Sequence, residues 1–93
     1  MNPRLQRAVA IEEPDLRVHC LATVTVPNGT NLWDVTGNFF IGTVDRQGVV
    51  LIMNTRPRIG HTIRLCEETS EYCEVLWQGR RGLVRAATIR RVP

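Results

Sequence analysis

From Arg17 onward the chain is a succession of short apolar or alternating runs broken by turn chemistry. A chain punctuated this often cannot assemble long helices, and its short runs have the period of two that half-buried strands require. "RVHCLATVTV" alternates and stops at "PNGT", where Asn28-Gly29 is expected to supply the positive-φ positions of a tight turn. "NFFIGTVD" follows a second turn at "TGN", and "VVLIMN" follows "RQG". The last of these is nearly all apolar, which predicts a strand covered on both faces. "TRPRIGH" reads as a loop from its proline and glycine.

"TIRLC" and "YCEVLW" flank "EETSE" and are predicted to form a hairpin. With Thr69-Ser70 as the turn centre, Cys66 falls opposite Cys73, where a disulfide is geometrically allowed. Two free thiols are the expected state in a cytosolic chain. "WQGRRGLV" is a further hairpin, "RAATI" a short helical turn, and "RRV" the last strand fragment. Five or six short strands in 93 residues predict a single all-β domain closed into a small barrel, because closure removes exposed edges. Residues 17–93 form this barrel domain in the expected organisation. Residues 1–16 break the pattern and are expected to be an arm, "LQRAVAIEE" stopped at Pro14, that packs on the barrel or on a partner.

Charge narrows the function classes. All twelve basic residues are Arg, against nine acids, so the net +3 consists of planar guanidinium groups suited to carboxylate or phosphate. Five of them, Arg80, Arg81, Arg85, Arg90 and Arg91, crowd the carboxyl end, where no acid follows Glu74. Nucleic acid is not the favoured partner, since +3 is modest and a small barrel needs most of its five aromatic residues inside. The amino end lacks an apolar core long enough for a signal or a membrane span. The expected location is therefore the cytoplasm, or a particle assembled there. Cys20, Cys66, Cys73, His19 and His61 show no paired metal-ligand spacing, and neither a metal nor a cofactor is expected. The carboxylates Glu12, Glu13 and Asp15, and Glu67, Glu68 and Glu71, fall in stretches expected to be solvated, so no catalytic residue is expected.

The carboxyl half, "YCEVLWQGRRGLVRAATI", resembles the closing segment of Src-homology-three-like barrels. Tyr72, Val75, Gly79, Gly82, Leu83, Val84 and Ile89 stand at that family's aromatic start, alternating strand, two glycines, apolar pair and final aliphatic. The bacterial branch is the more similar, with Val75 and Trp77 just before the turn and "TNLWD", "FIGTV" and "VVLIM" upstream. The resemblance covers about residues 22–92 and implies the fold. Arg85 and Thr88 replace the Pro and Tyr with which eukaryotic members grip polyproline, so that recognition is not implied. Trp33 replaces a basic residue of the bacterial members, some of which bind cell-wall peptides.

One remaining feature points to a partner. Phe39 and Phe40 should point to opposite faces of a strand, which leaves one of them exposed or covered by something else. Aromatic residues beside arginine are the composition of protein-interface centres. The expected function is a non-catalytic protein-interaction module, a small subunit or adaptor docking into a larger assembly with acidic groups on its surface. Its partner-binding residues would be Trp33, Phe39, Tyr72, Arg80, Arg81 and Arg85. The alternatives are a structural component of a phage virion or similar particle, and a module binding cell-wall peptide or nucleic acid.

Overall fold

A computed structural model describes residues 16–67 and 70–93. The arm at residues 1–16, except Leu16, lies outside the described residues, as do the carboxylates Glu12, Glu13, Asp15 and Glu68. The chain is all-β in plan, with strands β1 (Leu21–Val24), β2 (Thr30–Trp33), β3 (Phe40–Val44) and β4 (Val49–Asn54) preceding helix α1 (His61–Glu67). Strands β5 (Tyr72–Trp77) and β6 (Arg80–Arg85) follow, then a 3-10 turn at Ala86–Thr88 and β7 (Ile89–Arg91). The strands make one open antiparallel sheet of seven, in the order β3-β2-β6-β5-β4-β1-β7, where five or six were expected.

Turn chemistry fixes the register. Gln78 and Gly79, at φ 50° and 79°, form a two-residue turn, so β5 and β6 pair from Trp77 opposite Arg80 to Tyr72 opposite Arg85. At "PNGT" only Gly29 takes positive φ, at 79°, and its N–H donates to the Val26 carbonyl. Asn28 stays in the ordinary region, against the expected pair.

Alternation along the strands sorts the side chains onto two faces. One face packs Ala22, Val24, Leu32, Val44, Val50, Ile52, Cys73, Val75, Val84 and Ile89 into the main core. Leu16 packs against it. The other face carries a smaller cluster of Trp33, Tyr72 and Leu83, capped by Ile63 of α1 and by Ile59. Strand β4 is fully covered on one face only: Val50 and Ile52 are buried, while on the other face Leu51 and Met53 are partly buried and Val49 is half exposed, which corrects the two-sided expectation.

The expected "TIRLC" strand is instead the helix α1, so the Cys66–Cys73 pairing does not arise. Cys66 is exposed on α1, Cys73 is buried opposite Val84, and Cys20, Cys66 and Cys73 are all free thiols. The physical reason is tertiary. The Ile63 N–H donates to the Gly37 carbonyl at 3.1 Å, which holds the first turn of α1 against the loop that follows β2. No helix among the described residues is long and apolar enough to cross a membrane.

Candidate functional site

The loop between β2 and β3, residues 34–39, is built around one carboxylate. Asp34 Oδ1 accepts the N–H groups of Asn38 at 3.0 Å and Phe39 at 2.9 Å, and Oδ2 accepts the Thr36 hydroxyl at 2.6 Å. The Asp34 N–H in turn donates to the Phe39 carbonyl at 2.8 Å. Partial desolvation pushes the Asp34 carboxyl upward, but these hydrogen bonds together outweigh it and hold its pKa below the ordinary value. Gly37, at φ 74°, and Gly60 pack backbone to backbone, so closely that a Cβ on either would collide with the other's main chain or with Thr36. Asn38 Oδ1 also accepts the Thr62 N–H at 3.4 Å. The loop is therefore seated on the start of α1.

What this loop presents is apolar. Phe39 is 68% exposed, Phe40 54% and Val35 44%. The alternation argument expected one phenylalanine outside, whereas both are outside. Phe39 precedes β3 in the loop, and Phe40 lies on an edge strand. Behind Phe40, Trp33 is 5% exposed, with the two rings perpendicular (78°) and their centroids 5.8 Å apart. The Trp33 Nε1–H is buried with no hydrogen-bond acceptor among the described residues. An unsatisfied buried donor of this kind costs about 1–3 kcal/mol.

Arg80 and Arg81 open β6 beside this loop. With Asp34, Val35, Ile41 and Glu74 they line a shallow depression. Arg81 Nε stands 3.5 Å from Glu74 Oε2, and both side chains keep access to water. Such a pair contributes under about 1 kcal/mol and orients the guanidinium more than it stabilises the fold.

The six expected partner-binding residues divide. Trp33, Phe39, Arg80 and Arg81 gather at the β2-β3 loop and the start of β6. Tyr72 and Arg85 face each other at the far end of the β5-β6 hairpin. Tyr72 is 2% exposed, so it and Trp33 belong to the smaller apolar cluster, which corrects the expectation that both rings stand on the surface. Tyr72 borders a separate cleft of about 410 Å³ lined also by Leu16, Ile59, Cys73 and Ala86. Burial, reinforced by the Glu71 carboxylate, pushes the Cys73 thiol up to about 11. It is thus protonated and a poor nucleophile at neutral pH. Among the described residues no three His, Cys, Asp or Glu side chains come together as a metal site would need.

Sequence reasoning missed Asp34, Val35 and the exposure of Phe40. "DVTGN" did carry a signal, since Asp followed by Thr-Gly-Asn is the composition of a loop closed on its own side-chain oxygen. No family model, curated protein or solved structure matches the chain.

Proposed function

We propose that the chain is a non-catalytic protein-interaction module, a small subunit or adaptor that docks into a larger assembly through the β2-β3 loop, β3 and the start of β6. The observation that carries this reading is the adjacent exposure of Phe39, Phe40 and Val35 on a loop that Asp34 and the Gly37–Gly60 contact hold in one shape. Preorganised aromatic anchors bind with little ordering cost and make the centres of protein interfaces. Arg80 and Arg81 flank them and suit a partner with acidic groups. Trp33 supports the face from behind, and Arg85 with Tyr72 lies apart from it.

A Src-homology-three-like barrel is the finer fold we propose. Three features support it: the order β7-β1-β4-β5-β6, the excursion of the β2-β3 hairpin between β1 and β4, and the 3-10 turn joining β6 to β7.

The test compares the tagged chain with a Phe39→Ala/Phe40→Ala variant, each purified from the native source at low and moderate salt. A stoichiometric protein recovered with the first and lost with the second is the expected result. Equal recovery by both, or nucleic acid released by added salt in place of protein, would overturn the reading.

A further inference from the structure

Pairing with β2 uses the main-chain groups on one side of β3, and the alternate N–H and C=O groups of Phe40–Val44 point the other way. Among the described residues no strand takes them, because β3 ends the sheet. The segment Phe40-Ile41-Gly42-Thr43-Val44 holds neither charge nor proline to blunt that edge.

We infer that the partner docks here by adding a strand: an extended segment matched to the five residues of β3, with a large apolar side chain near its middle and a carboxylate towards one end. The inference rests on the docking reading above and names what the partner brings to it. Main-chain chemistry decides the shape of the occupant. An extended backbone offers donors and acceptors at the spacing of an open edge, whereas a helix has spent its own internally.

Gly42 decides the apolar residue. It pairs with Leu32 of the main core, so it lies on the core face of β3, the face that also carries the buried Val44. A Cβ there would meet no atom within 4 Å, which leaves room at the margin of the core. The bulge before Gly42 sets Phe40 opposite Trp33, on the other face, so the chain's own ring does not fill that room. A strand alongside places a side chain over the glycine, and such cover by a large residue is what pins the register at an edge glycine.

Charge decides the carboxylate. At the Phe40 end of β3 lies the depression of Asp34, Val35, Ile41, Glu74, Arg80 and Arg81. Asp34 directs both oxygens into its own loop, and Glu74 stands beside Arg81. The exposed Arg80 is left without an ion pair among the described residues, and an acidic side chain on the segment answers it.

The test selects random decapeptides from a displayed library on the full chain and adds the recovered peptides to the isotope-labelled protein. Peptides without proline are expected, with a large apolar residue between extended neighbours and an acid towards one end. Their binding should slow amide exchange at alternate residues of Phe40–Val44. N-methylating alternate peptide bonds of the ligand should weaken binding about tenfold or more, since backbone acceptors on β3 then lose their donors. Phe39→Ala/Phe40→Ala serves as the control for the site itself. Peptides that need those rings, yet protect no β3 amide and tolerate N-methylation, would overturn the added strand and leave docking through the loop standing. Peptides indifferent to both changes would overturn the docking reading as well. A library that yields no binder overturns the inference. So does protection of the β3 amides that appears without peptide and rises with protein concentration, which would give the edge to a second copy.

Discussion

The two edges of the sheet, β3 and β7, carry opposite chemistries. Strand β7 reads Ile89-Arg90-Arg91 and runs into Val92-Pro93, so charge and a residue without an N–H guard it. The Val92 N–H is already used on the Leu21 carbonyl. Strand β3 reads Phe40-Ile41-Gly42-Thr43-Val44 with no charge, and the exposed Phe39 stands just before it. Soluble proteins blunt an edge with charge and proline, as at β7, because a bare edge templates pairing with another chain. Among the described residues no strand pairs with the outer side of β3, and on the proposed function this is the edge kept for contact.

That contrast depends on the β3 side being a fixed surface and not a loose one, and the largest predicted effect tests this. Gly60→Ala places a methyl group against the Thr36 carbonyl and Asn38 Oδ1, most of which is backbone that cannot yield. A loss of roughly 2–3 kcal/mol is expected, a drop of about 10–20 °C in melting temperature. A change below about 0.5 kcal/mol would mean that the loop is not seated on α1 and that the comparison of edges has no rigid side.

Next in size is a titration at β5, the middle strand, three places from each edge. The Cys73 thiol, ordinarily near 9.0, titrates at about 11 in the fold. A raised folded value means that the contribution is complete below pH 9 and is lost as pH rises towards 11. The expected slope is roughly 1.4 kcal/mol per pH unit across that window. Urea melts from pH 8 to 11 should show it in the wild type and not in Cys73→Ala. Both edges should melt together, and separate transitions at β3 and β7 would break the treatment of the sheet as one unit.

Asp34→Ala should cost about 1–2 kcal/mol, because the variant leaves the Asn38 and Phe39 N–H groups without their acceptor. The lowered folded pKa gives the sign with pH. The contribution is present above the ordinary carboxylate range and is lost as pH falls through the lower folded value. Amide exchange should therefore speed up in acid at Asn38 and Phe39, after correction for intrinsic rates, while the Val92 amide stays protected. Equal acceleration at both edges would place the acid sensitivity elsewhere.

The guarded edge and the bare edge were not equally legible in the sequence. Along β5-β6 and at β7 the signals are local: "WQGRRGLV" reads as a hairpin and "RRV" as the last strand fragment, although the sequence predicts closure of the sheet and marks no edge there. The short runs and their turns also gave the all-β class. The β3 side is assembled from residues far apart in the chain. Ile63 and Leu65 alternate as a strand would, yet Ile63 is fully buried and Leu65 is 71% exposed on a helix seven residues long. So short a helix is marginal by itself, and its contact with Gly37 makes the difference. The same distance in sequence hid the burial of Trp33 and Tyr72. Nothing within "TNLWD" or "YCEV" shows that Ile63 and Ile59 will cover those rings.

The smallest effect on stability should be the most informative about the edges themselves. Thr43 is exposed on β3 and pairs with Asn31 on its inner side, so Thr43→Lys places a charge on the bare edge without disturbing the core. Surface changes of this kind shift stability by less than about 0.5 kcal/mol. The proposed partner should nonetheless be lost, because a lysine on the edge opposes any strand that adds there. The reciprocal change, Arg90→Thr with Arg91→Thr, strips charge from β7 and should leave partner binding intact while promoting self-association, read as a sedimentation coefficient that rises with concentration. If Thr43→Lys leaves the partner bound, the contact is made by the Phe39 and Phe40 side chains alone, and the open edge of β3 is not part of it.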